Sequence, residues 1–114
     1  MIPKVKEKRK RNYVLSEFKV LFRDESTRHI TWKAHQGAVS LGYMTDEDIE
    51  GVIERLCHEH FDKSMTTYEN HTHWQDVYKI TDEEKKLYIK LQFSLDLPKK
   101  AILIQMKEDE GNDD

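Results

Sequence analysis

Glycine is scarce in this chain. Its four glycines are scattered, so no glycine-rich loop is present to cradle a phosphate. GxGxxG, the Walker loop and the GxSxG elbow are all absent from the sequence, which sets aside dinucleotide-binding, P-loop and serine-hydrolase chemistry. Cysteine occurs once, as Cys57. A lone thiol gives no intramolecular disulfide framework and fits a reducing cytoplasm. No apolar run approaches the roughly 18–20 residues that a membrane-spanning helix needs. The basic N-terminus has no apolar segment behind it, so it does not read as a secretory leader.

What is abundant is charge. Charged residues make up 36% of the chain against 37% hydrophobic, with a net charge of −3. The chain is long enough for one domain with one modest core. Residues 1–11 carry Lys4, Lys6, Lys8, Arg9, Lys10 and Arg11 against Glu7, and read as a disordered, solvated basic arm. Residues 109–114 read as an acidic tail. The segment 61–107 holds eight bases and seven acids, so it is slightly positive despite the negative total. Local potential governs phosphate binding more than net charge does.

Helices come first. Val14, Leu15, Phe18, Leu21 and Phe22 lie on one helical face, predicting a helix over 13–22. A second runs from Thr31 or Trp32 to Leu41, with Thr31 as N-cap, Gly42 at C′ and a narrow apolar side of Trp32, Ala38, Val39 and Leu41. A third begins at the Thr45 cap, has an acidic first turn, and buries Ile49, Val52, Ile53 and Leu56. From Phe61 the period changes to two. Strands are expected at Trp74–Ile80, Lys86–Leu95 and Ala101–Lys107, with a polar hairpin loop at Asp82–Lys85. Leu87, Ile89, Leu91, Phe93 and Leu95 point one way, and Ile102, Ile104 and Met106 are expected to join them. The other face would carry Tyr88, Lys90, Gln105 and Lys107. The fold class is therefore α+β, N-terminal helices packed on an antiparallel sheet, as one domain over 12–108.

Cys57-His58-Glu59-His60, with His71 and His73, supplies metal-ligand residue types but neither CxxC nor HExxH. The site is read as metal-free and cofactor-free, the histidines sitting at a helix C-terminus. A small metal-binding protein is the weaker alternative. The Lys/Tyr/Gln/His/Thr surface is compatible with RNA cleavage without a metal, although on composition alone Trp74 reads rather as core and Lys85, Lys86, Lys99 and Lys100 as solvated charge. A base takes the ribose 2′-OH proton, that oxygen attacks the phosphate, cations stabilise the added charge, and an acid protonates the leaving oxygen.

The run Lys63-Ser64-Met65-Thr66-Thr67-Tyr68, then His71-Thr72, then Trp74-Gln75-Asp76-Val77-Tyr78, strongly resembles the MqsR family of bacterial toxins (motility quorum-sensing regulator). Tyr88-Ile89-Lys90 and a last strand ending in Lys107 continue the pattern. The resemblance implies a RelE-like ribonuclease fold and the toxin half of a toxin–antitoxin pair, cutting mRNA without a metal at GCU-type triplets. It implies an MqsA-like antitoxin partner with a zinc-bearing domain and a helix-turn-helix domain, and operator DNA contacted only through that antitoxin. Carried over residue by residue, Lys63, Gln75, Tyr88 and Lys107 are the catalytic candidates. Lys63 and Lys107 are phosphate and transition-state cations, Tyr88 transfers a proton or contacts the leaving group, and Gln75 positions ribose or phosphate. Tyr68, His71 and Lys90 are substrate-binding candidates. A non-catalytic RNA- or protein-binding regulator with the same fold is the alternative.

Overall fold

The computed structural model describes residues 5–67, 69–70 and 72–111. In chain order these form β1 (Glu7–Lys8), α1 (Leu15–Arg23), β2 (Arg28–Ile30), α2 (Trp32–Ser40), α3 (Asp46–Arg55), β3 (Phe61–Thr66), β4 (Trp74–Asp82), β5 (Lys85–Phe93) and β6 (Ala101–Glu108). The strands make one six-stranded sheet ordered β1-β3-β4-β5-β6-β2. The protein is α+β, but the sheet is mixed: β2 runs parallel to β6, pairing Arg28 with Ala101 and Ile30 with Leu103. Three residues are too few to show a period, so β2 left no mark in the sequence pattern.

α1 and α3 form where their apolar spacing directs. On α1, Leu15, Phe18 and Phe22 are buried. Phe18 stacks on Phe22 and on Phe93 of β5, with centroids 5.5 and 5.9 Å apart, and each buried Phe contributes about 1.5–3 kcal/mol. At α3 the Thr45 hydroxyl accepts from the Asp48 N–H at 3.1 Å, and Asp48 accepts in return from the Thr45 N–H at 3.2 Å. Two orphan donors of the first turn are satisfied that way. Ile49, Val52 and Ile53 then enter the core.

On α2 the buried residues are Ala34 and Ala38, whereas Trp32 and Val39 of the expected apolar side are exposed. The reason is close approach. A Cβ built on Gly37 would lie 1.8 Å from the Met106 carbonyl oxygen, so α2 rests on the β6 backbone through small residues. Thr31 pins its start: the hydroxyl caps Ala34 N–H and donates to the Ile104 carbonyl at 2.8 Å.

That carbonyl belongs to a β-bulge. Lys90 pairs with Gln105 and Leu91 with Leu103, leaving Ile104 as an extra residue on β6. The inward residues of β6 are consequently Ala101, Leu103 and Met106, not Ile102, Ile104 and Met106. The bulge still sends Gln105 and Lys107 to the polar face.

The basic arm also differs from expectation. Glu7 pairs with Met65 and Lys8 with Ser64 at the sheet edge. Lys6 and Thr66 exchange two hydrogen bonds of 2.9 Å. Lys8 Nζ lies 4.1 Å from the Trp74 ring centroid. A two-residue edge strand inside a run of bases carries no compositional signal.

Candidate functional site

Alternation along β3 and β4 divides the conspicuous sequence run between two faces. Ser64, Thr66, Asp76 and Tyr78 turn to the helix side and are buried. Both Asp76 carboxylate oxygens accept from the Asn12 N–H, at 3.0 and 2.9 Å, and one also accepts from Tyr13 N–H at 2.9 Å. The Tyr13 hydroxyl donates to the Trp74 carbonyl at 2.6 Å. Asp76 therefore ties the lead-in of α1 to the sheet. Tyr78 is pushed up to about 12 by burial and by the Asp76 charge, which makes it a core phenol rather than a proton donor near neutral pH.

The opposite face is set by strand register. Lys63 pairs with Val77, Val77 with Lys90, and Lys90 with Gln105. One row further, Lys79 pairs with Tyr88 and Tyr88 with Lys107. On the other side, Met65 pairs with Gln75, and the register continues to Gln92, which pairs with Ile102. Neighbouring strands are about 4.8 Å apart and like-facing residues on one strand about 7 Å apart. Lys63, Gln75, Tyr88, Lys90 and Lys107 thus share one surface. Tyr68 and His71 lie outside the described residues.

Charge is concentrated here. Lys107 and Lys90 place their ammonium groups 4.9 and 5.8 Å from the Tyr88 ring centroid. The Lys90 amine is held below the usual lysine range, first by burial, then by the charges of Lys33, Lys107 and Lys63. Removing a cation from water and surrounding it with like charges both favour the neutral amine. Lys79 is balanced by Asp62 and Asp109, at 3.8 and 3.5 Å. Lys63 is buried and meets Glu7 Oε2 at 3.1 Å. Gln75 and Gln92 are also buried, and their amides meet: Gln75 Nε2 donates to Gln92 Oε1 at 2.7 Å.

Four participants were not singled out in the sequence: Glu7, Lys33, Lys79 and Gln92. Gln92 and Lys79 carried a usable signal, since period two puts them on the same face as Lys90 and Gln75. Glu7 and Lys33 had none, because each arrives from a separate element. No group of three or more His, Cys, Asp or Glu side chains is placed to hold a metal ion among the described residues. Cys57 Sγ and His60 Nδ1 lie 3.5 Å apart as an isolated pair.

The protein is a small α+β domain, a helix-backed sheet whose other face gathers lysines, two amides and a tyrosine, groups that carry positive charge and hydrogen-bonding capacity. The comparisons specify more. The model of the family described as motility quorum-sensing regulator, toxin of MqsA, matches residues 10–108. A curated relative from Escherichia coli (strain K12), the mRNA interferase toxin MqsR, is 35% identical over 102 residues, covering 90% of this chain and 98% of its own. The chain belongs to the MqsR toxin family.

Proposed function

We propose that this chain is the endoribonuclease toxin of a type II toxin–antitoxin pair, cutting mRNA without a metal and so stopping translation and growth. The observation that carries this reading is the shared surface of Lys63, Gln75, Tyr88, Lys90 and Lys107, set by register from four strands. Phosphodiester cleavage by the neighbouring 2′-OH needs charge stabilisation, positioning and two proton transfers. Lys63 and Lys107 supply positive charge to the phosphate. Gln75 holds the ribose or phosphate. A phosphate drawn to Lys107 and Lys90 comes beside Tyr88, whose hydroxyl transfers a proton or contacts the leaving oxygen. Lys90, with its lowered proton affinity, is the amine best suited to exchange a proton here. The 2′ oxygen gives its proton to a base on this face as it bonds to phosphorus, the bond from phosphorus to the 5′ oxygen breaks, and that oxygen takes a proton from an acid there. The products are a 2′,3′-cyclic phosphate and a 5′-hydroxyl.

Tyr68 and His71 are assigned to RNA contact. The RelE-like fold follows from the family resemblance, and the sheet and helix layers support it. The partner is an MqsA-like antitoxin with a zinc-bearing domain and a helix-turn-helix domain, through which operator DNA is contacted. The site of action is the cytoplasm, where mRNA and ribosomes are. Residues 12–108 are the catalytic domain, and the terminal basic and acidic segments modulate approach of RNA.

Induced expression in bacteria tests the reading. Growth arrest with loss of mRNA, abolished in Lys63→Ala, is expected. Normal growth at a measured high level of folded protein would overturn it.

A further inference from the structure

Gln92 belongs to no motif quoted above, yet it is buried on the site face and joined to Gln75. Its own amide makes two contacts of opposite sense. Nε2 donates to the Phe93 carbonyl at 3.1 Å, and Oε1 accepts from Gln75 at 2.7 Å. A side-chain amide can ordinarily be turned end for end with little change in shape, so its orientation is decided by the hydrogen bonds around it. Here the chain ends on a backbone carbonyl, which can only accept. Gln92 must turn its NH₂ to Phe93 and its oxygen to Gln75. Gln75 must then turn its NH₂ to Gln92. The polarity of both amides is set by one backbone atom.

The consequence falls on Gln75. Gln92 takes one N–H of Gln75, which leaves a second N–H on that nitrogen and the Oε1 acceptor, and no described residue donates a hydrogen bond to the Oε1. Burial raises the stakes. A flipped Gln75 would set two amide oxygens against each other at 2.7 Å, or leave a buried donor without a partner.

We propose that Gln92 is a positioning residue that locks Gln75 with its carbonyl oxygen presented to the RNA, so that Gln75 reads a hydrogen-bond donor, the ribose 2′-hydroxyl, rather than a phosphate oxygen. The proposal rests on the assignment of Gln75 to the active face. It sharpens that assignment, because an acceptor and a donor at this position select opposite groups. Phosphate oxygens have no proton to give, so a Gln75 oxygen facing outward repels them and suits the hydroxyl that must be aligned for attack.

The test uses the full chain, with a short RNA of mapped cleavage site as substrate. Gln92→Leu and Gln92→Met keep the volume and remove both hydrogen bonds. Each is expected to lower kcat about tenfold, the scale of one lost oriented hydrogen bond, with KM changed less than about twofold. In ¹⁵N–¹H spectra, the Gln75 side-chain NH₂ signal should move to the position of a solvent-exposed amide in both variants, while the backbone spectrum stays native. A native spectrum with an unmoved Gln75 signal, or with parental kcat despite a moved one, overturns the positioning role. Gln75→Ala separates the two levels. If it cuts at the parental rate, the assignment of Gln75 fails and the proposal with it. If it is slow while Gln92→Leu and Gln92→Met are parental, only the proposal fails. A variant that does not fold is replaced by Gln92→Ala, which also removes both hydrogen bonds and is expected to show the same loss of kcat.

Discussion

Lys63 and Glu7 form an ion pair across the β1–β3 edge, Nζ to Oε2 at 3.1 Å, with the lysine side chain buried and the glutamate half exposed. The cation assigned to phosphate is therefore held by an acid from the N-terminal segment. RNA phosphate and the Glu7 carboxylate compete for the same ammonium group. Glu7→Gln keeps the shape and removes the competing charge. RNA binding is expected to tighten several-fold, with the larger gain at low salt, because a screened repulsion has been removed. Affinity for a short RNA across a salt series measures it, and unchanged affinity at low salt counts against phosphate binding at Lys63.

Lys90 is the amine whose charge is most contested. Its lowered proton affinity means that it becomes neutral at a lower pH than an ordinary lysine. If it gives a proton during cleavage, kcat falls as pH rises through that lowered value, still below the usual lysine range. Lys90→Arg keeps the charge but cannot release a proton in this range. It is expected to reduce kcat by about 10²-fold, the low end for loss of a general acid or base, and to remove that alkaline limb from the pH–rate profile. An arginine variant with parental kcat restricts Lys90 to charge stabilisation.

Asp76 sits inside the sequence run that suggests catalysis, but its oxygens are committed to Asn12 and Tyr13 N–H groups on the helix side. Asp76→Asn is expected to cost about 2–3 kcal/mol of stability, since charge-assisted bonds to buried donors are lost. Denaturant unfolding measures it. Cleavage per folded molecule should change little. A large loss of kcat without loss of stability would move Asp76 into the chemistry.

Arg55, Asp82 and Tyr43 join α3, the β4–β5 hairpin and the α2–α3 loop. Arg55 makes a forked pair with Asp82 at 2.6 and 3.1 Å, and the Tyr43 hydroxyl donates to Asp82 at 2.6 Å. The Arg55 guanidinium, foremost, and the Tyr43 hydroxyl hold the Asp82 carboxyl below its usual range despite its burial. A depressed folded pKa gives stability that is present above the unfolded value and lost as pH falls through the folded one. Unfolding free energy should therefore drop on acidification from about pH 4 downward, and Asp82→Asn should flatten that drop while lowering stability near neutral pH. Equal slopes in parent and variant would contradict the linkage.

The polar face was legible because two signals agreed. Period two placed Tyr88, Lys90 and Lys107 together, and the motif residues Lys63 and Gln75 alternate in the same phase. Gln92 is equally legible by period, but no motif contains it. The Ile104 bulge was not legible: Ala101-Ile102-Leu103-Ile104 is apolar at every position, so either phase satisfies the core. The Glu7 strand was hidden for a different reason, since its pairing is backbone-made at a sheet edge and needs no apolar side chain. The β4–β5 turn was placed correctly but not its shape: Glu83 and Glu84 take φ of 49° and 72°, the left-handed region, where glycine or asparagine is the usual choice.

The most direct measurement is mapping of 5′ ends on a defined transcript treated with the purified protein alone in excess EDTA. Cleavage at a small set of related sites, leaving 5′-hydroxyl ends, is expected, with Lys63→Ala and Gln75→Ala each at least about 10²-fold slower. Intact transcript, or cutting by both variants at the parental rate, would contradict the assignment of this sheet face as the ribonuclease site.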